Sequence, residues 1–163
     1  MNNISRIGID ISRTVFQLHA ATSDGSVVWR KRINRSEFLE TLSLVPACEI
    51  AMEACSGCHF WGQELQKMGH RVKLIPPQYL KPFVKRNKND SADAEAISEA
   101  MTRPTMRFVP VKSVAQQELG QLHRARELMV KHRTALINEI KGFLHEHGIL
   151  MCCGREKLFG EYL

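Results

Sequence analysis

Two apolar runs, Val15 to Ala21 and Val27 to Ile33, flank Ser23-Asp24-Gly25-Ser26. Asp-Gly between such runs is the strongest short-range hairpin signal, so the chain opens as antiparallel sheet. Arg6 to Ile11, which carries Asp10 near its end, reads as a third strand of that sheet. Ser36 is placed to cap a short helix bearing Phe38, Leu39 and Leu42, stopped before Pro46. Cys48 to Met52 reads as a buried fourth strand that runs out at Glu53. Ser56 then caps a helix with Phe60, Trp61, Leu65 and Met68 on one face, closed by Gly69. Arg71 to Ile75 makes a fifth strand, halted by Pro76-Pro77. The order is three strands, helix, strand, helix, strand. A crossover helix between the last two strands implies parallel pairing, so the expected fold is α/β, a mixed five-stranded sheet flanked by helices.

Charge is distributed unevenly over this frame. Lys and Arg number 23 against 17 Asp and Glu, a formal charge of +6, which favours a polyanionic partner, nucleic acid before membrane. Between Arg71 and Lys88 there are six basic residues and no acidic one, interrupted by Pro76, Pro77 and Pro82. That stretch reads as a loop with a positive surface. Asp90 to Met101 is Ala- and Glu-rich and helical, ended by Arg103-Pro104. Ser113 to His147 is strongly helical. Its Leu119, Leu122, Met129, Leu136, Ile140 and Phe143 recur at spacings of three, four or seven, a seam for a partner helix that Arg126 and Arg133 interrupt. The expected division is 1–104 as the sheet domain, 105–150 as a helical arm and 151–163 as an atypical tail. No signal peptide precedes Ile11, and no run reaches the roughly 18 apolar residues of a membrane span. Without an export signal the five cysteines are expected to be reduced thiols in the cytoplasm.

Four acids stand out by position. Asp10 ends the first strand and Glu53 the fourth; Asp90 and Asp93, three apart at a helix start, project from one face. Neighbouring first and fourth strands would set Asp10 beside Glu53, and the helix beginning at Asp90 needs only to dock across that edge. Four ionised carboxylates repel unless a cation sits among them. Oxygen-only ligands select a hard ion, Mg2+ or Mn2+. Two such ions roughly 4 Å apart activate a water or hydroxyl and stabilise the leaving oxygen of a phosphodiester. Each acid alone also has an ordinary structural explanation: a turn former, a helix cap, a first-turn acid or a solvated side chain.

Three segments, IGIDISRTVFQLHAA, IAMEACSGCHFWGQEL and VKLIPPQYLKPFVKRNKNDSADAEAI, resemble the DEDD transposases of bacterial insertion sequences, the Piv-type group of bridge-RNA-guided recombinases. The resemblance runs from Ile7 to about Gly148. It implies an RNase H-like domain similar to RuvC Holliday-junction resolvase, with a helical coiled-coil segment over Ser113 to His147. It also implies that Asp10, Glu53, Asp90 and Asp93 are catalytic and bind Mg2+, with Mn2+ as substitute, for DNA strand cleavage and transfer. DNA, and a guide RNA, are the implied partners. Members of this group continue into a second domain bearing a nucleophilic serine, which the tail MCCGREKLFGEYL does not resemble. The chain is therefore expected to be an amino-terminal part, with 151–163 marking a truncation. The alternative is a catalytically inactive module that binds nucleic acid and dimerises through its arm.

Competing signals rank lower. Cys55-Ser56-Gly57-Cys58-His59 has the spacing of a haem c attachment site and of a redox CxxC. Haem attachment needs export, and Cys152-Cys153 are a poor second pair for zinc. A helix-capping turn with two buried thiols is the simpler reading, with His59 and Trp61 packed near the active edge. Among the basic residues, Lys81, Lys85, Arg86 and Lys88 have no acid to offset them and are the expected contacts to the phosphate backbone. Arg124, Arg126, Lys131 and Arg133 share their helix with Glu118, Glu127, Glu139 and Glu146 and read as a solvated face.

Overall fold

The hairpin forms where Asp24-Gly25 places it. In a computed structural model, which describes residues 4–83 and 90–150, β2 (Val15–Ala21) pairs antiparallel with β3 (Val27–Asn34). The connection is longer than a two-residue turn. The Gly25 amide closes on the Thr22 carbonyl at 3.2 Å, and Gly25 takes φ +97°, a left-handed conformation that glycine adopts at no steric cost. Asp24 accepts hydrogen bonds from the Thr22 and Ser26 hydroxyls, which hold its carboxyl down at about 2.

β1 (Arg6–Asp10) lies between β2, antiparallel, and β4 (Glu49–Glu53), parallel; β5 (Arg71–Ile75) follows β4 in parallel. The sheet order is β3-β2-β1-β4-β5, the mixed five-stranded arrangement expected from the order of elements. Its two faces bury different helices. Ile7, Ile9, Phe16, Leu18, Ile50, Met52 and Leu74 point to one side, under α1 (Phe38–Ser43) and α2 (Cys58–Lys67). There Phe16, Phe38 and Trp61 meet edge to face, with ring centroids 4.7, 5.3 and 5.1 Å apart. The alternate positions, Gly8, Asp10, Ala51, Glu53 and Ile75, point to the other side. Ala51 and Ile75 pack there with Leu80 and with Ile97, Ala100 and Met101 of α4 (Asp90–Ala100) and the residue after it.

Gly8 decides how closely α4 approaches. A Cβ at this position would lie 2.5 Å from the Ser98 amide nitrogen and closer still to the Ala94 carbonyl oxygen. Only a residue without a side chain lets the helix backbone rest on the strand.

Several local expectations are corrected. Asn34, not Ser36, caps the first helical turn, with Glu37 reaching back in a capping box. Gly57, at φ +88°, precedes α2, and no Ser56 side chain caps it. Phe60 and Met68 are exposed while Trp61 and Leu65 are buried, so the apolar stripe of α2 is narrower than its composition suggests. Trp61 packs on the face away from Asp10 and Glu53, and His59, in the first turn of α2, accepts the Lys112 amide at 3.2 Å. The loop expected after β5 contains a short helix, α3 (Pro77–Leu80), and a 3-10 turn over Lys81–Phe83, anchored by buried Leu80.

The chain divides into two compact units, Met1–Ser113 and Val114–Leu163. In the second, α5 (Val114–Glu146) is one long helix that buries none of its residues. The expected tail, 151–163, lies outside the described residues.

Candidate functional site

β1 and β4 run parallel with Ile9 opposite Met52, so the next residues, Asp10 and Glu53, end adjacent strands at the same edge of the sheet. Neighbouring strands are about 4.8 Å apart, and both residues project to the α4 side. Both are half-buried.

The direction of α4 follows from its contacts. Ala94 and Ser98 straddle Gly8, while Ser98 and Glu99 line a shallow cavity with Arg6 and Ala21 at the opposite end of β1. The amino-terminal turn of α4 therefore points toward Asp10. Asp93 closes that turn and is half-buried; three and four residues on, Ala96 and Ile97 are buried. Asp90 begins the helix, and its side chain lies outside the described residues. Among the described residues, no three His, Cys, Asp or Glu side chains form a group able to hold a metal ion. The structure thus sets Asp10 beside Glu53 and turns the start of α4 toward them, without completing a three-ligand group from described side chains.

Cys55 reports on this edge. Its thiol is pushed up to about 11, first by burial, then by the negative charges of Glu53, Cys58 and Asp10. Cys58, at the start of α2, is also raised by burial. Of this pair Cys58 is buried and Cys55 is half-buried at the carboxylate edge, so the expectation of two buried thiols holds for one.

Of the expected phosphate contacts, Lys81 falls in the 3-10 turn, with its side chain outside the described residues, as are Lys85, Arg86 and Lys88 entirely. Sequence reasoning passed over the cations of β3. Arg30 lies opposite His19, donates to its Nδ1 at 3.3 Å and pairs with Glu95 of α4 at 3.0 Å. Arg32 lies opposite Gln17, which itself lies opposite Asp10. The signal was available: once the hairpin register is set, alternate residues of β3 share the face of Asp10. No helix among the described residues is long and apolar enough to cross a membrane.

Comparison with known proteins gives this edge its context. A family model for transposases of the DEDD, IS110 type matches residues 7–149. The chain is 44% identical over 151 residues to the transposase for insertion sequence element IS1328 of Yersinia enterocolitica, covering 93% of this chain and 45% of that protein. It is 42% identical over 161 residues to the transposase for insertion sequence element IS1111A of Coxiella burnetii, covering 99% of this chain and 44% of that protein. The chain thus spans less than half the length of these relatives. Among solved structures, a RuvC of Thermus thermophilus in complex with a Holliday junction substrate superposes with a TM-score of 0.46 at 14% identity, covering 64% of this chain and 98% of that one. A family match over most of its length, joined to relatives above 40% identity, makes this chain a member of the IS110-type DEDD transposases of insertion sequences.

Proposed function

We propose that this chain is the DNA-cleaving amino-terminal part of an insertion-sequence transposase, in which Asp10, Glu53, Asp90 and Asp93 together hold Mg2+, with Mn2+ able to substitute. The observation that carries the reading is the convergence of two strand ends and one helix start: Asp10 and Glu53 on adjacent parallel strands, with the amino-terminal turn of α4 directed at the same edge. The donor chemistry supports a hard ion. The four side chains proposed to meet at this edge are carboxylates, oxygen donors only. Bound there, divalent ions supply Lewis-acid activation of a water or hydroxyl and stabilisation of the leaving oxygen of a phosphodiester. The sheet fixes Asp10 and Glu53, while the positive end of the α4 dipole favours carboxylates in its first turn.

Lys81, Lys85, Arg86 and Lys88 complete the reading as contacts to the DNA backbone. The exposed seam of α5 would pair with a second copy, and a guide RNA would direct the target. The division into 1–104, 105–150 and 151–163, and a cytoplasmic setting, belong to the same proposal. Complete strand transfer would also require the serine-bearing domain implied by the resemblance.

Calorimetric titration with Mn2+ at neutral pH tests the site. Binding heat for the chain and its loss in Asp10→Asn are expected; equal, negligible heats for both, with DNA present, refute it. Incubation of branched and duplex DNA with Mn2+ then tests cleavage, which Asp93→Ala should abolish. Salt-sensitive binding without cleavage would instead favour the module that binds without chemistry.

A further inference from the structure

The sheet carries a second charged feature in the same row as the carboxylates. Reading across at the carboxyl end of β1, Arg32, Gln17, Asp10 and Glu53 occupy four successive strands. All four project to the α4 side, because directly opposed residues share a face. Arg32 and Asp10 are two strand spacings apart, roughly 10 Å. Arg32 is exposed and, among the described residues, its side chain makes no ion pair or hydrogen bond. Arg30, one pleat further from this edge, is by contrast engaged by His19 and Glu95.

The same corner gathers a further cation. Arg13 follows Asp10 in the β1–β2 connection and is exposed. The Arg35 amide donates to the Thr14 carbonyl at 2.8 Å, which ties the end of β3 to that connection. The Arg35 guanidinium turns to the other face, over Trp61 at 4.9 Å from the ring centroid, so it is not one of these cations. Glu37, held by the Asn34 amide and side chain, is the acid of this end of β3 and lies beyond Arg32 in the chain. The positive corner therefore adjoins the negative edge.

We infer that Arg32, with Arg13, forms a subsite for the DNA backbone flanking the phosphate held at Asp10 and Glu53. The inference rests on the proposed cleavage site for its orientation. A backbone crossing the carboxylate edge meets only repulsion there without a cation; the next phosphates along the row meet guanidinium groups on a rigid strand. Arg is suited to this because its planar fork presents several donors to phosphate oxygens. β3 alternates, so Lys31, opposite Leu18, points to the other face and stacks on Trp29 at 5.0 Å. The two adjacent cations should therefore behave differently.

The test is fluorescence anisotropy with labelled duplex DNA and the full chain, in EDTA so that no cleavage occurs. Each lost phosphate contact removes a salt-dependent factor of about eightfold at 0.1 M salt and lowers the slope of log K against log salt by about 1. Arg32→Gln is expected to show both changes, Arg32→Lys to retain most of the affinity, and Lys31→Gln to stay within about twofold of the parent. Unchanged binding by Arg32→Gln overturns the subsite, as does an equal loss in Lys31→Gln. Tighter capture of RNA of the same sequence, lost in Arg32→Gln, overturns its assignment to DNA. Failure of the parent chain to bind DNA overturns subsite and cleavage reading together. Mn2+ calorimetry on Arg32→Gln separates the two: intact heats show that the carboxylates do not depend on Arg32.

Discussion

Substituting Gly8 by Ala adds one methyl group where α4 rests on β1. Its Cβ would stand 2.5 Å from the Ser98 nitrogen and 2.8 Å from the Ser98 Cβ, with the Ala94 carbonyl nearer than either. Two of these obstacles are helix backbone, so no side-chain rotation relieves them and α4 has to lift as a body. Overpacking costs about 1–3 kcal/mol where neighbours can shift. Here the lift also loosens buried Ile97 and Met101, each contributing about 1.5–3 kcal/mol when fully buried. A cost of about 3 kcal/mol is the reasoned figure. With an unfolding entropy of roughly 2 cal/mol/K per residue over the 113 residues of the first unit, the melting temperature should fall by roughly 13 °C. Thermal unfolding followed by circular dichroism measures this. Gly120→Ala serves as control, since nothing lies within 4 Å of a Cβ there. Gly8→Ala melting within about 2 °C of the parent would refute the account of how α4 is seated.

Two further predictions concern titration. His70 is buried; its Nδ1 accepts the Cys48 amide at 3.3 Å, and burial lowers its pKa despite a hydrogen bond to Leu42. The unfolded chain then binds the proton more readily than the folded one, so stability rises with pH and is lost as pH falls through about 6.5, the ordinary histidine value. Urea unfolding at pH 7.5 and 5.5 should show that loss, and His70→Gln should flatten it; a parallel pH dependence in the variant would count against it. For Cys55, Glu53→Gln removes a charge that raises the thiol pKa, so alkylation by iodoacetamide at pH 8.5, resolved by peptide mass spectrometry, should accelerate at Cys55. An unchanged rate would remove Glu53 from the neighbourhood of Cys55.

Much of the fold was legible because its signals are local. The Asp24-Gly25 turn and the helix between β4 and β5 settle pairing and direction before any packing is known. The edge position of Asp10 and Glu53 follows from the same order. What sequence could not supply depended on which face each element buries. Trp61 and Phe60 are adjacent in sequence, yet only contact with Phe16 and Phe38 on the far side of the sheet decides that Trp61 is buried. The caps were misplaced for a related reason: serine is a good cap in general, but Asn34 has Glu37 in the right place, and Gly57 has a conformation serine disfavours. The close seat of α4 on Gly8 had no local signature, since a glycine in a strand reads first as a weakness. Arg32 stands out only once β3 is paired, since its register with Gln17 and Asp10 follows from the hairpin.

The two rims of the sheet are defended differently. β5 receives a single antiparallel bridge, the Val109 amide donating to the Leu74 carbonyl at 2.8 Å, which occupies a point where another strand could add. β3 has no such cover among the described residues, and its outer backbone is a template for edge-to-edge aggregation. Lys31 and Arg32, beside the ion-paired Arg30, stand in the middle of that strand, so a second copy approaching in register meets like charges on both faces. Their neutralisation should make concentrated protein prone to intermolecular β-pairing.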